Sequence, residues 1–243
     1  GPMAVLVNRH SASASEIFAG AMQDYGRALI VGDDTFGKGT VQTLIPLNHG
    51  QLKMTQAKFY RVSGGSNQHR GVVPDIALPF VIDKQEIGES ALPNALPWDQ
   101  IRPAAYSPSG DLTPYVEPLR RRLEKRIADD PEFDYIRAQM ALLEQLRDTR
   151  ELPLNEQARR DYQKQLDQQR LAVENRVRQA RGEKPFTDMA SLLKHEEDRL
   201  AARQAGEEER EPRDAWLTET GRILLDLMEL GERGRMVALD PAA

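Results

Sequence analysis

No cysteine occurs in the 243 residues of this chain. Disulfides, thiol nucleophiles and cysteine-bound metals are thereby excluded, and such a chain suits cytosol and bacterial periplasm alike. No apolar run approaches the roughly 20 residues of a membrane span, and no secretory signal pattern is visible. Basic residues are not in excess: 33 Lys and Arg stand against 38 Asp and Glu, a formal net charge of −5. That balance argues against a general nucleic-acid binder, which needs a concentrated basic face. Histidine is scarce, with four in all. His10 lies close to a run of serines, yet a triad would need an acid such as Asp24 correctly placed. His49 falls in an expected turn, His69 in a polar loop and His195 in a charged helix, and none has metal-ligand spacing around it. No metal or cofactor is expected.

The remaining composition, 40% hydrophobic and 29% charged, is that of one or two ordinary domains with a sizeable core. Strand-like residues begin at Met3 with no earlier element to pair with, so the chain is expected to start within a domain. Gly1-Pro2 reads equally well as native or as added residues.

Residues 1–79 alternate between strand and helix patterns. Met3–Val7 is a short β-prone run, and Ser13 to about Tyr25 carries helix-spaced apolar residues at Ile17, Phe18, Ala21 and Met22. Arg27–Val31 is again strand-like. Val41–Leu47 and Lys53–Arg61 alternate as paired strands around a turn at Leu47-Asn48-His49-Gly50. Strand–helix–strand order implies an α/β (α+β) unit with a mixed sheet and at least some parallel pairing. From 80 to 113 the pattern dissolves among prolines (Pro93, Pro97, Pro103, Pro108), which predicts an extended linker.

Residues 114–243 read as a charged, mostly helical domain. Asp130-Pro131 is a helix start, continued by a stripe of Phe133, Ile136, Met140 and Leu143. A longer helix is expected from Asn155, with Ala158, Tyr162, Leu166, Val173, Val177 and Ala180 on one seam. A last amphipathic helix places Trp216, Ile223, Leu227 and Leu230 on one face. The polar run Gln204–Arg213 is expected to be a solvated loop, not a metal site.

Two short segments carry chemistry. Ser11-Ala12-Ser13-Ala14-Ser15-Glu16 comes directly after the first strand, and Lys38 lies in Thr35-Phe36-Gly37-Lys38-Gly39-Thr40-Val41-Gln42. Ser13 to Glu16 fits the S-x-x-E capping box, which makes Ser13 a helix cap. The same position suits a nucleophile, because the Ala14 amide at a helix N-terminus can donate to a developing oxyanion. A desolvated lysine amine can serve as the general base for such a serine, and Gln42 is placed to orient it. Cap and nucleophile both remain open on the motif alone. Gly32-Asp33-Asp34-Thr35-Phe36-Gly37-Lys38 imitates a phosphate-binding loop, but Gly39 stands where a magnesium-binding Ser or Thr belongs. The next residues, Val41-Gln42-Thr43-Leu44-Ile45, moreover read as a strand and not as the helix that such a loop must feed.

Ser11-Ala12-Ser13-Ala14-Ser15-Glu16-Ile17, Thr35-Phe36-Gly37-Lys38-Gly39 and Gly71-Val72-Val73-Pro74-Asp75-Ile76 together resemble the C-terminal processing, or tail-specific, peptidases. Asn94-Ala95-Leu96-Pro97-Trp98-Asp99 and the charged helical tail are similar to the Prc (Tsp) branch of Gram-negative bacteria. The resemblance implies a serine endopeptidase with Ser13 as nucleophile, Lys38 as general base, Gln42 orienting the lysine and the Ala14 amide as an oxyanion donor. Asp24 matches a position of assisting type, and Glu16 is assigned to capping. The resemblance further implies a periplasmic location and unfolded or tail-marked envelope substrates with nonpolar C-termini. It also implies a helical-repeat lipoprotein adaptor, a possible oligomer, and upstream PDZ and core segments absent from this sequence. The alternative expectation is a non-catalytic helical docking or scaffold module that binds an adaptor.

Overall fold

The run after Met3 enters the fold as strand β1 (Ala4–Val7), and the helix-spaced residues after Ser13 form α1 (Ala14–Asp24). The computed structural model describes residues 1–206 and 214–239. Strand β2 (Leu29–Gly32) pairs in parallel with β1 on one side and with the short β5 (Ile76–Ala77) on the other. All four residues of β2 are buried, as expected for the central strand of a parallel sheet covered on both faces. Val7, Ala19, Ile30 and Val72 form one apolar cluster, with Val5 and Met22 packed against it. Small Ala19 lets α1 lie close on the sheet.

Strands β3 (Thr40–Pro46) and β4 (Gln51–Lys58) make a separate antiparallel ribbon. Its turn is the expected one: the Leu47 amide donates to the Gly50 carbonyl at 3.1 Å. The mixed pairing read from the sequence is thus realised as two small sheets, one parallel and one antiparallel. Several apolar residues of the ribbon, among them Leu44, Leu52 and Met54, are exposed.

Residues 80–112 contain a single 3-10 helix (Glu89–Ala91) and are otherwise irregular, with turns at 83–87 and 92–95. Five helices complete the described chain: α2 (Thr113–Ile127), α3 (Pro131–Asp148), α4 (Glu156–Ala180), α5 (Met189–Ala205) and α6 (Ala215–Leu239). The chain divides into two compact units, residues 1–124 with 216–243, and residues 125–215. In the first unit, Leu119 and Leu123 of α2 and Ile223 and Leu227 of α6 are buried. Arg122 of α2 pairs with Asp226 and Glu229 of α6 at 2.6 and 2.8 Å. Trp216 stacks on Phe80 (ring centroids 4.9 Å apart) and donates its indole N–H to the Pro79 carbonyl at 2.8 Å.

In the second unit, the Asp130 carboxylate caps α3 by accepting from the Glu132 and Phe133 amides, with Pro131 at the first helical position. Asn155 caps α4 through the Ala158 amide. Phe133, Ile136, Val177 and Leu192 are buried. Met140, in the same stripe as Phe133, is exposed. Tyr135 donates to Glu174 across α3 and α4 at 2.7 Å. Burial and that carboxylate hold the phenol's pKa well above its usual value. The polar run Gln204–Arg213 lies from Glu207 onward outside the described residues. No described helix is long and apolar enough to cross a membrane.

Ile223 is fully buried on α6, whereas Leu225 of the same helix is 65% exposed. Ile223→Ala is expected to lose about 3 kcal/mol in urea denaturation of the first unit. Leu225→Ala is expected to change it by less than about 0.5 kcal/mol.

Candidate active site

Ser13 sits at the turn between β1 and α1 with φ 57° and ψ −111°. A residue with a Cβ adopts positive φ only when its surroundings over-determine it, at a cost of roughly 1–3 kcal/mol. Those surroundings are explicit. The Ser13 amide donates to Glu16 Oε2 at 2.8 Å, and the Ser13 carbonyl accepts from the Glu16 and Ile17 amides at 2.9 and 3.0 Å. The capping box therefore forms, and its firm half is the glutamate's, because the Ser13 hydroxyl falls short of a regular cap hydrogen bond. The next amide, Ala14, has no acceptor among the described residues. A free N–H thus points from the first turn of α1 beside Ser13, where the helix dipole favours negative charge.

Lys38 lies on the loop from Asp33 to Gly39, between β2 and β3. The loop is closed in from both sides of the lysine. At Gly37 (φ 93°) a Cβ would lie 2.9 Å from the His69 carbonyl carbon, and at Gly39 it would lie 2.5 Å from the Gln68 amide nitrogen. Only glycine fits at these two approaches. The loop feeds strand β3 rather than a helix, so it lacks the architecture of a phosphate-binding loop, as its sequence implies.

One side chain joins the serine turn to the lysine loop. Glu16 is completely buried. Its Oε1 accepts from Thr35 Oγ1 at 2.5 Å and from the Gly37 amide at 2.7 Å. Its Oε2 accepts from the Ser13 amide at 2.8 Å and from the Lys38 amide at 2.9 Å. Four donors fill the lone-pair sites of one ionised carboxylate. The Ser13 and Lys38 amides share a single oxygen, so the two backbones approach to within one hydrogen bond on either side of it. Thr35 Oγ1 in turn accepts from the Val72 amide at 2.7 Å. The three motif segments that are far apart in sequence, 11–17, 35–39 and 71–76, therefore meet at Glu16.

Not every predicted site residue joins this cluster. Gln42 is exposed on β3, beside the register irregularity between Val41 and Gln42. Its side-chain amide has no hydrogen-bond partner among the described residues, nor has the Lys38 ammonium. Asp24 is held elsewhere: Arg61 clasps its carboxylate with Nη2 at 2.5 Å and Nε at 3.0 Å, and Ser63 donates to it at 3.0 Å. These bonds tie α1 to the segment after β4 and leave Asp24 no role toward His10. His69 contributes its backbone, donating to the Gly37 carbonyl at 2.7 Å. His195 packs edge-on against Phe186 in the second unit.

Comparison with known proteins matches two successive parts of the chain to two family models. Residues 1–78 match the model of Peptidase family S41. Residues 82–229, more than half of the chain, match the model of the C-terminal domain of tail specific protease (DUF3340). The chain belongs to the tail-specific protease family. It is 42% identical over 207 residues to the tail-specific protease of Haemophilus influenzae, an alignment covering 80% of this chain and 30% of that protein. It is 55% identical over 78 residues to the carboxy-terminal-processing protease of Bartonella bacilliformis, covering 32% of this chain and 18% of that one. Among solved structures, the photosystem II D1 C-terminal processing protease matches at 46% identity and a TM-score of 0.30, covering 32% of this chain and 20% of the other. The chain thus spans about a third or less of the relatives it matches.

Sequence reasoning about this tail-specific protease chain assigns Glu16 a local capping role and passes over Thr35, Arg9 and Gln68. The capping signal is correct as far as it goes, since the Ser13 amide does bond Glu16. A capping box leaves one carboxylate oxygen uncommitted, and nothing local says that three donors from residues 35–38 will find the carboxylate. Glu16→Gln turns an NH2 group toward N–H donors and leaves at least two of them unsatisfied in a dry site. It is expected to cost about 3 kcal/mol or more, read as a lowered urea midpoint of the first unit. An unchanged midpoint would mean that the carboxylate does not tie the two loops together.

Proposed function

We propose that the protein carrying this chain is a serine endopeptidase working through Ser13 and Lys38. The neutral Lys38 amine takes the Ser13 hydroxyl proton as Oγ attacks the scissile carbonyl. The oxyanion of the tetrahedral intermediate accepts from the Ala14 amide, and the lysine ammonium returns the proton to the leaving amine. An acyl-enzyme remains on Ser13, and water releases it by the same proton path in reverse order. Gln42 orients the lysine once substrate or further chain covers the exposed end of β3, next to a strand irregularity of the kind that re-aims side chains. Substrates are unfolded or tail-marked envelope proteins with nonpolar C-termini, cut in the periplasm. Substrate tails are captured by an upstream PDZ domain, and a helical-repeat lipoprotein adaptor docks on the helical region.

The observation that carries this reading is the oxygen shared by the Ser13 and Lys38 amides. It draws together the backbones of the two segments that carry the proposed nucleophile and base, which supports a histidine-free mechanism. The strained φ at Ser13 and the unpaired Ala14 amide support it further. The test uses the full-length natural protein with an unfolded substrate ending in nonpolar residues. Ser13→Ala and Lys38→Ala are each expected to lower cleavage by about a thousandfold or more, with circular dichroism unchanged. Wild-type cleavage by folded Lys38→Ala would sink the mechanism and return Ser13 to the status of a helix cap.

A further inference from the structure

The lysine loop has a second set of ties, and these lead, directly or through Arg9 and Gln68, to the part of the chain matched by the other family model. The Phe36 carbonyl accepts from the Glu89 amide at 2.9 Å. The Gly39 amide donates to Gln68 Oε1 at 2.9 Å. Gln68 is itself completely buried, and its Nε2 donates to the Glu89 carboxylate at 2.9 Å and to the Leu96 carbonyl at 3.2 Å. The orientation of this amide is fixed by its partners, since an N–H must face the oxygen and two acceptors must face the NH2. On the other side, the Thr35 carbonyl accepts from Arg9 Nη1 at 2.7 Å. Arg9 is only 5% exposed and has no carboxylate partner among the described residues. Its Nε and Nη2 are held by the Ile87 carbonyl at 2.6 Å and by Ser90 Oγ at 2.8 Å. Gly88 wraps so closely that a Cβ there would lie 2.2 Å from Arg9 Nη2.

Residues 87–96 therefore grip the loop at 35, 36 and 39, directly or through Arg9 and Gln68, and so bracket Lys38. They belong to the part matched as the C-terminal domain of tail specific protease, whereas Lys38 belongs to the part matched as Peptidase family S41. Two buried polar side chains serve as the go-betweens. A buried amide and a buried guanidinium are costly to desolvate unless every bond is made. The segment and the loop consequently hold or release together.

We propose that the segment 87–96 is a positioning element for the catalytic lysine, acting through the Glu89–Gln68–Gly39 and Ser90–Arg9–Thr35 chains of hydrogen bonds. In this way a stretch that lies in the same compact unit as the lysine loop, but is matched to the C-terminal domain family, sets the turnover of the peptidase core. The inference rests on the serine–lysine mechanism. Gln68, Arg9 and Glu89 are positioning residues; none of them touches the reacting atoms. Misplacement of a base by a fraction of its hydrogen-bond length is enough to slow the chemical step by an order of magnitude or more.

A charge swap in the full-length natural protein tests the proposal. Gln68→Glu keeps the acceptor for the Gly39 amide but sets two carboxylates against each other at residue 89. It is expected to lower kcat about tenfold or more with KM unchanged. Adding Glu89→Gln supplies an NH2 donor in place of the repelling oxygen and is expected to restore kcat to within about threefold of wild type, a positive coupling in the double-mutant cycle. Glu89→Ala alone is a gentler arm, expected to lower kcat several-fold at constant KM, and it decides the matter should Gln68→Glu fail to fold. If folded Gln68→Glu or Glu89→Ala turns over at the wild-type rate, the segment does not position the lysine. Loss of thermal stability with KM and kcat altered together, and no rescue by the swap, assigns these residues to structure alone and overturns the proposal as well. Lys38→Ala runs in parallel. If it cleaves normally the serine–lysine reading fails, whereas if it is inactive the swap judges the positioning element by itself.

Discussion

The buried carboxylate of Glu16 is the constraint around which the rest of the structure is arranged. It has no cationic side chain bonded to it among the described residues. Its charge is met by three backbone amides and one hydroxyl, with the N-terminal dipole of α1 behind it. Such a group is stable in a dry interior only while all four donors stay in place. The serine turn, the lysine loop and, through Thr35, the start of the segment leading to β5 must therefore form as one assembly. The strained backbone at Ser13 is tolerated for the same reason, since its amide is one of the four.

Around that centre the fold uses two kinds of support. Apolar burial between α1, the parallel sheet and Val72 holds the elements together without choosing an exact position for any loop. Polar clamps then choose the position. Asp75 accepts from the Ile30 amide at 2.7 Å and from Gln23 at 2.8 Å, fixing the start of β5 against β2. Asp24 with Arg61 does the same between α1 and the chain after β4. Arg9 and Gln68 extend the scheme to residues 87–96. The serine turn and the lysine loop are thus held by satisfied hydrogen bonds. The exposed ribbon of β3 and β4 is instead held along its own ladder and, at its end, by Lys58, which donates to the Pro97 carbonyl at 2.8 Å and pairs with Asp99 at 2.7 Å.

Much of the secondary structure was legible because it is local. Alternation predicted β1, β2 and the ribbon to within a few residues, and the caps at Asp130 and Asn155 stand where Pro131 and the polar pattern imply. The buried face of α6, with Ile223 and Leu227, agrees with its spacing. Other features were legible only in part. Phe133 and Ile136 of the α3 stripe are buried but Met140 is not, because periodicity marks a face without saying how far a neighbour covers it. The irregular stretch 80–113 shows no periodicity, and its prolines read as a linker. It nonetheless carries Ile87, Glu89 and Ser90, whose partners Arg9 and Phe36 belong to the first elements of the chain.

By itself, then, the sequence determined the element types, the serine turn with its capping glutamate, the lysine between glycines and the peptidase family whose motifs these are. Each depends on neighbours within a few positions, or on a pattern carried by residue identity alone. Only the tertiary structure decided which donors fill the second oxygen of Glu16, that α6 returns to the first unit, and that Asp24 spends its carboxylate on Arg61. It also decided that a stretch reading as linker grips the lysine loop. These outcomes turn on which polar groups meet once the apolar core has closed. A buried donor or acceptor takes whatever partner the fold brings within about 3 Å, and sequence distance does not enter that choice.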